Sequence, residues 1–248
     1  MALLENGVHS PPSTEIPGTA SVMKVKPLVY VLLTAAVTLG ATLARADDRN
    51  LLPKYGSLPK TEWQKAADAK FIAAIDQQYH GDRNKASADL AARGWQYLAE
   101  QNFDDAMRRF NQAWLLNNNN GTALWGMAAI QAGSGKFDES LKLFAEAEKF
   151  VGSDINFSTD YAKALAMAGA SLKNDDMLKD AFVRFELLYQ KAPQNTMNLQ
   201  NWAIALFSQG RYSEAWAKVR LAEATPNKDD LDPRFLAALT SRMPRPKD

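Results

Sequence analysis

Residues 87–120 read SADLAARGWQYLAEQNFDDAMRRFNQAWLLNNNN, and residues 121–154 read GTALWGMAAIQAGSGKFDESLKLFAEAEKFVGSD. The two stretches are equal in length, 34 residues each, and their large and small residues fall in step. Leu90, Gly94, Tyr97, Phe103, Ala106, Phe110 and Ala113 in the first are matched in the second by Leu124, Ala128, Gln131, Phe137, Ser140, Phe144 and Ala147. Spacings of three and four put such residues on one stripe of a helix, and the breaks near Gln101 and Gly135 divide each stretch into two helices. Small residues at the eighth position (Gly94, Ala128) and the twentieth (Ala106, Ser140) let two backbones approach closely. The aromatic residue at the twenty-fourth position fills the space beside them. Each stretch is therefore predicted to fold as a close-packed helical hairpin.

The pattern continues downstream. A frame shift of seven residues, expected as an insertion around Ser153 to Tyr161, gives a third unit at 162–195 with Leu165, Gly169, Leu172, Leu178, Ala181, Phe185, Leu188 and Pro193. A fourth unit at 196–229 follows directly, with Leu199, Ala203, Leu206, Tyr212, Ala215, Val219, Ala222 and Pro226. At these residues the chain resembles the tetratricopeptide repeat family, whose period and small/large pattern are of this kind. The resemblance implies an all-α fold, a right-handed α-α superhelix (a solenoid) closed by capping helices at both ends. Departures from the family pattern are a leucine in place of the usual early tryptophan in every unit, Gln131 in place of an aromatic, and Asn118 and Gly152 where proline is expected.

The resemblance also implies that the first helices of the hairpins line a concave groove that binds a peptide. The residues it places there are Trp95, Leu98, Trp125, Lys163, Lys173, Ile204 and Phe207. Aromatic anchors supply burial and lysines can hold a carboxylate. The alternative for Trp95 and Trp125 is that the helix from Glu62 to Tyr79 covers them.

Outside the array the chain divides by composition. Residues 1–22, rich in Pro, Ser and Thr, are expected to be a disordered or spurious extension, with translation starting at Met23. Residues 23–46 have the form of an export signal: Lys24 and Lys26 precede an uncharged run from Pro27 to Leu43, and Ala44-Arg45-Ala46 offers a cleavage site after Ala46. Left uncleaved, the same run sits at the short limit for a membrane anchor. Residues 47–60, with Pro53, Gly56 and Pro59, are expected to be a flexible lead-in. Thr61 caps an amphipathic helix over 61–80 that has no partner in its own segment and is expected to cap the array. Asp232 and Pro233 open a last helix over 232–243 that covers the other end.

Composition restricts function. The chain of 248 residues is 46% hydrophobic and 23% charged, as in an ordinary globular protein. Removing residues 1–46 takes three of the 29 basic residues and two of the 28 acidic ones, leaving 26 of each. A net charge of zero argues against nucleic acid as a partner, and against an electrostatic hold on a membrane. There is no cysteine, which excludes disulfides and thiolate metal sites. Beyond the signal the one histidine is His80, with no triad or metal cluster around it. Gly133-Ser134-Gly135-Lys136 fails as a phosphate loop, because Ile130 stands where the first glycine belongs and Phe137 where Ser or Thr should follow. Asp175-Asp176 and Asp229-Asp230 lack the spacing of a calcium loop and are taken as solvated turns. The acids Asp104, Asp105, Asp138, Glu139, Asp180 and Glu214 are expected near the starts of second helices, where they complement the helix dipole.

The expectation is a protein without enzymatic activity, cofactor or metal. It would be exported to the bacterial periplasm and act there as a scaffold or escort for a protein or peptide partner. Two alternatives stand beside it: an assembly factor tethered by an uncleaved N-terminal helix, and an accessory enzyme of envelope polymer using acids such as Asp160 and Glu186.

Overall fold

The structure is a computed structural model that describes residues 49–247. The extension at 1–22, the export signal at 23–46 and the first two residues of the lead-in lie outside the described residues. Among the described residues every regular element is helical. The α-helices are α1 (Glu62–Gln78), α2 (Arg83–Ala99), α3 (Phe103–Leu116), α4 (Gly121–Gly133), α5 (Phe137–Val151), α6 (Ile155–Leu172), α7 (Asp175–Lys191), α8 (Thr196–Ser208), α9 (Tyr212–Glu223) and α10 (Pro233–Arg242). Four hairpins, α2/α3, α4/α5, α6/α7 and α8/α9, carry the most extensive contacts.

The hairpins stack in sequence. Each first helix lies against the next first helix, α2 on α4, α4 on α6 and α6 on α8, whereas the second helices make no comparable contact with one another. The first helices therefore form an inner layer and the second helices an outer one. Nearly all buried apolar side chains from Leu90 to Leu239 join one continuous cluster that runs the length of the array, as expected where each unit buries its face against its neighbours.

Small residues set the closeness of this stacking. Phe110 of α3 is fully buried, and its ring occupies the place where two side chains are missing. A Cβ on Gly94 of α2 would lie 2.5 Å from the ring, and one on Gly126 of α4 would lie 2.1 Å from it. One aromatic side chain thus locks its own hairpin to the next. The equivalent aromatics Phe144 and Phe185 are also buried.

Side-chain caps define the boundaries. Asn102, Asn120, Asp154, Asn174, Asn195 and Asp232 each accept a hydrogen bond from a backbone N–H in the first turn of the helix they precede. Asparagines also build the first inter-repeat turn, where the family pattern has proline. Asn118 Nδ2 donates to Trp114 O, Asn117 Nδ2 donates to Asn84 Oδ1, and Asn120 Nδ2 donates to Ser87 Oγ. Ser87 in turn donates to Ala113 O at 2.7 Å. Hydrogen bonds hold here what a fixed φ would otherwise hold.

Several expectations are corrected. The seven-residue insertion is helical: capping by Asp154 starts α6 at Ile155, and the extra residues form its first turns. Asp175 and Asp176 are not a free turn; capped by Asn174, they are the first turn of α7. Asp180 consequently lies more than a turn inside that helix.

The lead-in is ordered where a flexible segment was expected. Residues Arg49–Leu51 and Pro53–Ser57 form two 3-10 turns that pack on α3. Lys54, Tyr55 and Ser57 adopt positive φ (52°, 56° and 53°) around Gly56 at 72°. A left-handed conformation costs a non-glycine residue about 1–2 kcal/mol, so the surroundings must hold it. They do so through Asn111 of α3, whose Nδ2 donates to Asn50 O and Leu52 O while its Oδ1 accepts from Tyr55 N. Burial pushes the Tyr55 hydroxyl far above its ordinary range. From there α1 runs back against α2 through Phe71 and the buried Ile75, and the bidentate Arg83–Asp76 pair spans the turn between them. At the other end, Trp216 Nε1 donates to Met243 O at 3.0 Å, and Phe235 and Leu239 of α10 close the cluster.

Gly126→Ala is expected to cost about 1–3 kcal/mol, because the added methyl overpacks the Phe110 ring. Urea unfolding of Gly126→Ala, Phe110→Leu and the double variant tests this. The double variant should lose less than the sum of the singles, since the smaller leucine side chain vacates the space the methyl needs.

Candidate partner-binding surface

The inner layer presents one side-chain cluster that crosses three repeats. Trp95 of α2 and Trp125 of α4 meet edge to face, with centroids 4.7 Å apart and planes at 62°. Trp95 also meets Phe110 at 5.8 Å, and Trp125 meets the buried Phe157 of α6 at 5.7 Å. Both indole N–H groups are used inside the protein. Trp95 Nε1 donates to Thr122 O at 3.2 Å, and Trp125 Nε1 donates to Asp160 Oδ2 at 3.0 Å. What the two half-buried indoles offer a ligand is therefore ring surface.

Asp160 and Lys163 are three residues apart on α6 and so share a face. Burial pushes the Asp160 carboxyl above its ordinary value, against the opposing pull of Lys163 and the Trp125 N–H. Burial likewise lowers the Lys163 ammonium, against the pull of Asp160. Both residues keep an opening to solvent by area, yet the surrounding protein removes much of their hydration. Charges held in this way interact more strongly with each other, and with an incoming polar group, than charges on an open surface.

The seven residues predicted for the groove do not all assemble. Trp125 and Lys163 come together at Asp160, and Trp95 joins them through Trp125. Leu98 is 3% exposed and belongs to the core, because α2 turns that position toward α3. Lys173 is exposed at the left-handed C-cap of α6, ten residues beyond Lys163 and so about 15 Å further along the helix axis. Ile204 and Phe207 are half-buried on α8. Phe207 packs on Tyr212 at 5.5 Å and on Phe235 at 5.9 Å, next to the C-terminal cap.

Asp160 is the residue that sequence reasoning placed in the wrong company, as a candidate acid beside Glu186. Glu186 lies exposed on α7, where its charge acts on Lys218, while Asp160 faces Trp125 and Lys163. The two do not form a carboxylate pair. His80 is exposed in the turn after α1 with φ of 52°. Among the described residues no group of three or more His, Cys, Asp or Glu is placed to hold a metal. Two surface clefts, of about 170 and 550 Å³, open on the outer side of α5, and neither includes Trp125 or Asp160.

Residues 97–166 match the family model described as tetratricopeptide repeat. That span runs from α2 to the middle of α6 and includes the Trp125–Asp160–Lys163 cluster, and over it the chain is similar to tetratricopeptide repeats. Such repeats generally mediate protein–protein interaction and are generally non-catalytic. A search of curated proteins returned no match.

Asp160→Asn and Lys163→Met, singly and together, should show a coupling on the order of 1 kcal/mol in a double-mutant cycle by urea unfolding, discounted from a fully buried pair because both side chains reach solvent. The pH dependence carries a sign. A carboxyl whose native pKa is raised adds stability that is fully present below its ordinary value of 3.8 and is lost as pH rises through the native value. Asp160→Asn should flatten the stability profile over that acidic window, and an unchanged profile would contradict the burial assigned to Asp160.

Proposed function

We propose that this protein is a non-catalytic interaction module of the bacterial periplasm that escorts or scaffolds a partner by holding an extended peptide or helix of it along the inner layer. The observation that carries this reading is the Trp95–Trp125 pair beside the Asp160–Lys163 pair, on the face where first helices of successive repeats adjoin. Aromatic surface next to partly desolvated opposite charges suits a peptide, whose side chains supply apolar area and whose backbone and charged groups supply hydrogen bonds. Export is supported by the uncharged run from Pro27 to Leu43 and by Ala44-Arg45-Ala46. Among the described residues no helix is long and apolar enough to cross a membrane.

A photo-crosslinking amino acid placed at Ala129 or Met167, each one turn along the inner stripe from Trp125 or Lys163, should give a discrete adduct in the intact cell envelope. The same group at Val183 or Leu187, exposed on α7 of the outer layer, should give none. Adducts at the outer positions alone would contradict the inner-face assignment. Sequencing the recovered protein should find Asp47 as its first residue, and a start upstream of Ala46 would contradict the cleaved, periplasmic form.

A further inference from the structure

We propose that the outer side of the first two hairpins, α3 and α5, is a second peptide-docking site, filled in this chain by its own residues 49–57 and able to take a partner peptide of Pro-basic sequence in their place. The carrier of the site is Asn111. It is fully buried, although it sits at the twenty-fifth position of its repeat, where the third and second repeats have the exposed Glu186 and Ala145. The docked segment packs over α3 at this position. Its carboxamide makes three hydrogen bonds, at 2.8, 2.9 and 3.3 Å, and all go to backbone atoms of that segment. A carboxamide that both donates to and accepts from a peptide backbone recognises main chain whatever its side chains.

Side chains then add selectivity. Pro53 is buried, and Lys54 Nζ pairs with Glu146 of α5 at 2.7 Å and lies 5.9 Å from the Trp114 ring centre. Pro53 followed by Lys54 is the code the site reads.

Three features mark the segment as an imperfect occupant. Lys54, Tyr55 and Ser57 are held at left-handed φ, a strain that belongs to the segment and not to the site. The Trp114 Nε1 donor, three residues along α3 from Asn111, is buried without an acceptor. A cleft of about 170 Å³ remains between Pro53, Lys54 and Ser57 on one side and Glu139, Leu143 and Glu146 on the other. A partner peptide free of the connection to α1 can avoid the strained turn and offer a carbonyl to Trp114. The tethered segment nevertheless competes from an effective concentration on the order of millimolar, so the site opens only to a partner that binds better or to a chain whose segment is weakened.

The test uses a fluorescent peptide of residues 49–58 and the full chain, with anisotropy as the readout. Lys54→Glu with Tyr55→Ala in the full chain should bind the wild-type peptide about tenfold more tightly, or better, than the wild-type chain does. Adding Asn111→Leu should abolish that gain with the helical circular dichroism signal unchanged. A charge exchange keeps the test decisive if Asn111→Leu fails to fold. A Glu146→Lys chain that keeps Lys54, now facing a like charge, and carries Tyr55→Ala should prefer the peptide carrying Lys54→Glu over the wild-type peptide. Equal binding to wild-type and weakened chains, or no reversal on charge exchange, overturns the proposal. Concentration-dependent dimerisation of the wild-type chain that Asn111→Leu removes would assign the site to a second copy and overturn the partner peptide.

Discussion

Phe110 lies between two helices that each lack a side chain opposite it, and the rest of the array follows from that fit. Gly94 belongs to its own repeat and Gly126 to the next, so the ring is part of two interfaces at once. Filling either place with a Cβ would need an approach of 2.5 or 2.1 Å, which real packing does not allow. The helices stand as close as they do because the methyl groups are absent, and close spacing brings Trp95 against Trp125 and Trp125 against Phe157. A linear repeat protein has no central core, so its cohesion is a sum of such junctions.

The proposed binding surface draws on the same junctions. The indoles that join successive repeats are half-buried, which leaves ring area on the inner layer, and the Trp125 N–H fixes the Asp160 carboxylate beside Lys163. In the proposed reading, structural and recognition roles fall on the same side chains. The electrostatic character of the surface is local: beside the indoles it rests on one pair held away from water, and not on a broad field. The outer layer works differently at its two ends. Residues 49–57 cover α3 through Asn111, and the tail after α10 covers Trp216 of α9, with Arg245 paired to Glu223. Between them α7 carries the exposed Val183 and Leu187.

The repeats were legible because their determinants are local and periodic. Spacings of three and four, small residues at the eighth and twentieth positions and an aromatic or branched apolar residue at the twenty-fourth survive in all four units. Helix starts were less legible where a cap outcompeted the repeat frame: Asp154 recruits seven additional residues into α6, and Asn174 moves the start of α7 to Asp175. Long-range partners left no local trace. The hydrogen bond from Trp125 to Asp160 spans 35 residues and that from Asn111 to Asn50 spans 61, and neither periodicity nor composition encodes such a pairing. Proline and glycine in the lead-in mark irregular backbone, but they do not say whether that backbone is free or docked. Leu98 and Lys173 were assigned to the groove by repeat position alone, and the rotation of α2 and the length of α6 set them elsewhere.

Native-state hydrogen exchange tests the dependence on inter-repeat packing most directly. If shared aromatic junctions hold the array together, the slowest amides of α2, α3, α4, α5 and α6 should exchange through one opening of common free energy and common denaturant dependence. Loss of protection in the α2/α3 hairpin at a distinctly lower free energy, with α4 to α6 unaffected, would mean that the repeats stand independently and would contradict the account.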